Sequence, residues 1–172
     1  MQYLSYIIIG IIVLIFFSPL NSYNTKSEPV NYILRSLYHA DITHLAVNMF
    51  SLYNLSFIEN VIGRQEFLLA ILFIWIVSSM LLYIYHKIFP SRKRLTVGFS
   101  GVIVGLIVIY IALMKSGKGA TLNRLILSII PQFFVPGISA EGHMLGGIAG
   151  ALFVIFIHPL LNNSTDMSLK FF

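Results

Sequence analysis

The sequence predicts an all-α polytopic membrane protein, a bundle of six transmembrane helices. Of its 172 residues, 58% are hydrophobic and only 10% are charged, and the mean hydropathy is +0.88, well above that of soluble domains. The apolar stretches approach the ~20 residues that a hydrocarbon core requires, and they lack the alternation of a membrane barrel. No segment is polar enough for a second domain, so residues 1–172 are expected to form one membrane domain.

Charge and cysteine content narrow the classes of partner. The formal net charge of +5 suits anionic lipid headgroups, and nothing in the chain resembles a nucleic-acid-binding module. The chain has no cysteine, and no carboxylate or cysteine completes a ligand set around its histidines. We therefore expect the lipid bilayer as a partner, with no nucleic acid, no metal and no cofactor, and the oligomeric state stays unknown.

The first three predicted spans differ in polarity. The first has no charged leader and no small-residue cleavage site, so it is expected to remain as a helix. The segment 21–41 mixes charged and aromatic residues, which favours an interfacial position. The second span carries His44, Asn48 and Glu59, so one face must look into protein or water. The third has no ionisable residue and is interpreted as scaffold, with Trp75 in a packing role. The predicted spans cover residues 2–20, 42–62, 67–85, 97–114, 122–135 and 142–161.

The last three spans contain the candidate chemistry. The fourth opens with Gly98-Phe99-Ser100-Gly101, the short fifth contains Pro131, and the sixth begins with Gly142-His143. Six helices place both termini on one side, so spans two, four and six all begin at the opposite membrane face. Lysines and arginines are divided almost evenly between the two sides, so the positive-inside rule does not fix the orientation.

This topology brings three polar sites to a similar depth. His44 and Asn48 are four residues apart and share a helix face, while Ser100 and His143 each stand at the start of a span. A serine is a nucleophile only when a base is close, and an imidazole is such a base. Close packing of spans four and six is predicted because small residues recur every four positions, at Gly101, Gly105, Gly142, Gly146 and Gly150.

Three motifs resemble those of the rhomboid family of intramembrane serine proteases. They are Gly98-x-Ser100-Gly101 on span four, His143-x-x-Gly146-x-x-x-Gly150 on span six, and His39-Ala-Asp-Ile-Thr-His44-x-x-x-Asn48 on span two. The resemblance extends over nearly the whole chain, because all three motifs occur on the expected spans. It implies a six-span rhomboid-like bundle of the minimal bacterial type, in the plasma membrane.

The resemblance also implies roles for particular residues. Ser100 would be the nucleophile and His143 the general base, a dyad without a third carboxylate. Asn48 and His44, with the Ser100 backbone N–H, would form the oxyanion hole. His39 would support the preceding loop, and Gly98 and Gly101 would support the nucleophile turn. The implied activity is hydrolysis of peptide bonds in or next to transmembrane segments of other proteins, which would reach the site past span five and the loop 136–141.

Three departures from the family pattern are visible. Val30 and Asn31 stand where the loop between the first two spans usually has a Trp-Arg pair. Val104 replaces an aromatic residue that stacks on the catalytic histidine, and the segment between Asn48 and Glu59 is one residue shorter than usual.

Two other functional classes stay open at this point. A catalytically silent relative would use the same cavity to recognise unstable helices, as a membrane chaperone or binding scaffold. A small transporter would use His44, Asn48 and Glu59 as a polar path, although the sequence has no evident inverted repeat. Taken alone, Ser100 would be a packing residue at a helix contact, and only the joint pattern favours catalysis.

Overall fold

The computed structural model describes residues 3–92, 95–113 and 139–161, and all regular structure within these ranges is helical. Short 3-10 turns cover Pro19–Ser22 and Pro90–Arg92, and a π-helical turn, Phe153–Ile157, continues the last helix. The α-helices are α1 (Tyr3–Phe16), α2 (Glu28–Arg35), α3 (Ile42–Leu55), α4 (Ile58–Ile62), α5 (Arg64–Ile88), α6 (Ser100–Leu113) and α7 (Ala140–Leu152).

The helices coincide with five of the predicted spans. Arg64–Ile88 and Ala140–Leu161 are long and apolar enough to cross a membrane, and Tyr3–Phe16 and Ser100–Leu113 are shorter apolar helices. The predicted second span is divided into α3 and α4 by a turn at residues 56–57. The predicted fifth span, 122–135, and most of the loop 136–141 lie outside the described residues, so the count of six spans stays a prediction.

The buried core lies between α3, α5, α6 and α7. Its fully buried side chains include Leu52, Ile74, Ile103, Leu106, Ala149 and Phe153. Helices α6 and α7 meet backbone to backbone: a methyl group on Gly146 would lie 2.0 Å from the Gly101 carbonyl oxygen, and one on Gly150 would lie 2.3 Å from that of Gly105. Glycine is therefore required along this contact, which has the four-residue spacing found in the sequence.

The amino-terminal helix is fastened by a buried carboxylate. Glu59 is only 3% exposed and accepts hydrogen bonds from the backbone N–H groups of Leu4 and Ser5 and from the Ser5 hydroxyl. The first N–H groups of a helix have no partner within the helix, and an anion stabilises that end. Glu59 thus joins α4 to the start of α1. This structural use of the carboxylate gives no support to a transport path that includes it.

The segment between α1 and α3 is docked on α5. Helix α2 runs from the carboxyl end of α5, where Glu28 lies 2.8 Å from the Lys87 ammonium, towards the middle of α5. There the Trp75 indole N–H donates to the Ile33 carbonyl at 2.9 Å. The sequence analysis predicted a packing role for Trp75. The structure adds a hydrogen bond between two residues that are 42 positions apart in the chain.

Candidate active site

Ser100 and His143 are in hydrogen-bond contact. Ser100 is the first residue of α6 and His143 is in the first turn of α7, and the Ser100 Oγ lies 2.8 Å from the His143 Nε2. The two residues are 43 positions apart in the chain, so this contact depends on the packing of α6 against α7. The glycine contact described above begins at Gly101 and Gly142, directly beside the pair.

A glycine turn presents Ser100. Gly98 has a φ of +109°, a conformation that L side chains rarely adopt. A methyl group on Gly98 would also lie 2.6 Å from the His44 ring. The Gly98 N–H donates to the Arg35 carbonyl at 3.1 Å. The next residue, Phe99, is 1% exposed and anchors the turn in the core. Local backbone geometry and burial together fix the position from which α6 begins.

A cavity of about 230 Å³ opens beside the pair. Ser100, His143, His44, Gly98 and Gly101 line it. Residues that carry hydroxyl groups line it too: Tyr32, Ser36, Ser78, Ser79, Thr96 and Ser139. A polar cavity of this size within an otherwise apolar bundle provides room for water and for a small part of a second chain.

Asn48 and His44 are placed differently. The His44 ring lines the cavity, whereas Asn48 is 0% exposed and does not line it. The Asn48 Nδ2 donates to the His44 carbonyl at 3.0 Å and lies 3.6 Å from the position of a methyl group on Gly98. Asn48 therefore stands behind the glycine turn, and its Nδ2 would have to leave the His44 carbonyl to reach an oxyanion.

His39 is buried behind His44. It is 2% exposed, and the two rings pack edge to face with centroids 5.1 Å apart. Asn21 holds the backbone of His39 on both sides, since its Oδ1 accepts from the His39 N–H and its Nδ2 donates to the His39 carbonyl. Burial, reinforced by the nearby His44 ring, lowers the pKa of His39 from 6.5 to about 4. The His39 ring is therefore neutral at physiological pH.

Two capping residues were missed from the sequence. Asp41 caps α3, where its carboxylate accepts from the His44 N–H at 2.8 Å, and Ser139 caps α7, where its hydroxyl accepts from the Gly142 N–H at 3.0 Å. Both precede a helix by one residue, which is the position where Asp and Ser are preferred. That preference was a usable signal, and both caps fix the helix turn that carries a candidate histidine.

In the ranges 3–92, 95–113 and 139–161, no group of three or more His, Cys, Asp or Glu side chains is arranged to hold a metal ion. Glu141, which has no assigned role, accepts a hydrogen bond from the Ser139 hydroxyl at 3.4 Å. The chemistry that the site offers is that of a hydroxyl beside an imidazole, at the amino-terminal ends of two helices.

The fold and the site define a class, a helical membrane bundle that holds a serine and a histidine together beside a polar cavity. Residues 26–160 match the family model described as Rhomboid domain. The whole chain is also 54% identical, over 172 residues and 100% of both sequences, to an Acanthamoeba polyphaga mimivirus protein named "Putative rhomboid protein L523". The chain belongs to the rhomboid family. No solved structure matches it significantly.

Family membership has consequences for location. It agrees with an integral membrane protein, as the apolar helices do. The bacterial plasma membrane expected from the sequence receives no support, because the relative described above is viral.

Proposed function

We propose that this protein is an intramembrane serine endopeptidase that cleaves other membrane proteins in or next to their transmembrane segments. The observation that carries the proposal is the 2.8 Å contact between the Ser100 Oγ and the His143 Nε2 beside a polar cavity. Family membership supports the same class of activity. The particular roles below are inferred from the geometry of this chain.

The reaction needs only the two side chains and water. The Ser100 Oγ attacks the scissile carbonyl carbon while the His143 Nε2 takes the hydroxyl proton. His143 then gives that proton to the leaving amine as the carbon–nitrogen bond breaks, which leaves an acyl group on Ser100. A water molecule from the cavity then attacks the acyl carbon while His143 takes its proton. His143 returns that proton to the Ser100 Oγ as the bond between this oxygen and the acyl carbon breaks, which releases the new carboxyl end and restores the serine.

Stabilisation of the oxyanion comes from the start of α6. The first N–H groups of a helix have no partner within it, so the Ser100 N–H is available to the tetrahedral oxygen, and the helix dipole favours negative charge there. His44, which lines the cavity beside Gly98, is the second donor in this proposal. Asn48 is the third, once its Nδ2 exchanges the His44 carbonyl for the oxyanion.

The substrate must present an accessible carbonyl. Within a membrane helix each carbonyl is hydrogen-bonded and sterically hidden, so the substrate helix has to unwind at the cut, and helix-weakening residues favour cleavage. The proposed access past span five, motivated by Pro131, Pro136 and Gly137, falls outside the described residues. Locking span five to span two with an engineered disulfide should slow cleavage of a transmembrane substrate, and unchanged turnover would remove that access route.

Covalent labelling tests the proposal directly. The purified protein in detergent is treated with a fluorophosphonate probe, and the modified peptide is located by mass spectrometry. We expect an adduct on Ser100 that is absent in Ser100→Ala and His143→Ala. Ser78→Ala is the matched control, because Ser78 lines the same cavity and, within the part of the chain that the structure describes, its hydroxyl donates to the Trp75 carbonyl of its own helix.

A catalytically silent scaffold predicts the opposite pattern. It would remain unlabelled while folded, and it would still bind a model transmembrane peptide. Cleavage of such a peptide by the wild type, beside Ser100→Ala, adds the second readout, and the new termini identify the cut. A folded protein that neither labels nor cleaves would refute the proposed function.

A further inference from the structure

The single tryptophan of the chain, Trp75, joins α5 to α2 through hydrogen bonds of its indole N–H. Trp75 lies near the midpoint of α5, and its indole N–H donates to the Ile33 carbonyl at 2.9 Å and to the Ser36 hydroxyl at 3.1 Å. An indole N–H inside a bundle must find a partner, because an unpaired polar group there costs free energy. Its partners are both at the carboxyl end of α2.

The carboxyl end of α2 connects α5 to the turn that precedes α6. The last carbonyls of a helix have no partner within it. In α2 the Ile33 carbonyl accepts from Trp75 and from the Ser36 hydroxyl. The Arg35 carbonyl accepts from the Gly98 N–H at 3.1 Å and from the Tyr38 N–H at 3.1 Å. The Ser36 hydroxyl adds another contact between the end of α2 and α5, since it lies 2.9 Å from the Ser79 hydroxyl.

A displacement at this end would reach the nucleophile. Gly98 and Ser100 are two residues apart, and Phe99 between them is buried at 1% exposure. A close-packed interior transmits small shifts instead of absorbing them. Two further anchors of α2, the Tyr32–His86 hydrogen bond of 2.9 Å and the Glu28–Lys87 ion pair, do not involve its last carbonyls.

We propose that Trp75 is a positioning residue for the nucleophile: its indole N–H fixes the carboxyl end of α2, and α2 in turn fixes the Gly98–Ser100 turn. This inference rests on the proposed function. It also explains how the loop between the first two spans is held, although Val30 and Asn31 stand in place of the Trp-Arg pair expected from the family resemblance. In this chain the tryptophan that holds the loop is contributed by α5 instead of by the loop.

The expected effect is on the chemical step. A nucleophile that is less well positioned spends less time in an attacking geometry, so loss of the N–H should lower kcat and the rate of phosphonylation of Ser100 by about tenfold. The KM for a transmembrane substrate should change by less than about twofold, because Trp75 itself does not line the cavity. A merely structural residue would lower the folded fraction and leave the rate per folded molecule unchanged.

An isosteric replacement gives the sharpest test, and the single tryptophan makes it selective. Trp75 is replaced with a benzothiophene analogue, in which sulfur stands for the N–H, and 5-fluorotryptophan, which keeps the N–H, is the control. We expect the slower phosphonylation and faster hydrogen exchange of the Gly98 amide with the first analogue only. Equal rates and equal exchange for the two analogues would overturn the inference.

Substitutions by natural amino acids give a second test that does not require incorporation of an analogue. Ser79→Ala removes the contact with Ser36, whereas Phe67→Leu alters a fully buried side chain at the far end of α5. Only Ser79→Ala should accelerate exchange of the Gly98 amide, and equal exchange in both variants would contradict the inference. If the wild type fails to react at Ser100, the proposed function is refuted, while the exchange measurement still decides whether Trp75 holds the turn.

Discussion

Gly146→Ala tests whether the glycine contact between α6 and α7 sets the Ser100–His143 distance. The new methyl group would lie 2.0 Å from the Gly101 carbonyl oxygen and 2.6 Å from its carbon. An ordinary C···O contact is about 3.4 Å, so the two helices must separate by roughly 1.4 Å at this turn. The obstacle is backbone on a buried helix, so no side chain can rotate away to relieve it.

The separation acts on the catalytic pair almost directly. Gly146 is one helical turn from His143, and Gly101 follows Ser100. Adding the displacement to the present 2.8 Å between the Ser100 Oγ and the His143 Nε2 gives roughly 4 Å, beyond hydrogen-bond reach. A misplacement of about 1 Å can reduce a rate by about 100-fold, and overpacking costs typically about 1–3 kcal/mol of stability.

The neighbouring glycine provides the matched control. A methyl group on Gly147 would lie 3.6 Å from the Val104 Cγ1 and 3.7 Å from the Val108 Cγ2, which are ordinary contacts. Gly147→Ala should therefore keep the activity, and it should gain about 0.5–1 kcal/mol because alanine is the better helix former. Phosphonylation rates per folded molecule and thermal unfolding are measured for both variants. Rates within threefold of each other would refute the role of this contact.

Three further predictions concern other parts of the structure. Gly98→Ala should reduce phosphonylation of Ser100 by about 100-fold or more, because the turn has a φ of +109° and the methyl group would meet the His44 ring at 2.6 Å; full activity would contradict this reading of the turn. Glu59→Gln should lower the free energy of unfolding by about 1–3 kcal/mol, because the carboxylate accepts three hydrogen bonds from the start of α1, and the rate per folded molecule should stay unchanged. The free energy of unfolding should also depend on the protonation of His39. Its pKa is lowered from 6.5 to about 4 in the folded protein, so the unfolded chain binds the proton first. The contribution of His39 to stability is therefore constant above pH 6.5 and falls by up to about 3 kcal/mol as the pH drops towards 4. Unfolding followed from pH 8 to pH 4 should show a steeper slope in the wild type than in His39→Phe; an equal slope in both would assign it to another group.

Several features followed from the sequence because they depend on local pattern. The lengths of the apolar stretches reflect the thickness of a bilayer, and they located α1, α3, α5, α6 and the last helix. The four-residue spacing of glycines predicted which two helices would meet backbone to backbone. The order of the three motifs along the chain predicted the family. The caps at Asp41 and Ser139 belong with these features, because their signal was present in the sequence.

Other features depend on contacts that the sequence does not specify. The burial of Asn48 behind the Gly98 turn and the docking of α2 on α5 each join residues distant in the chain. Trp75 and Ile33 are 42 residues apart, and Ser36 and Ser79 are 43. A run of apolar residues determines that a helix forms and how long it is, because hydrogen bonding and transfer from water are local. Which hydroxyl, indole or amide faces which neighbour is decided only when the helices pack, since each polar group inside the bundle must then find its partner on another element.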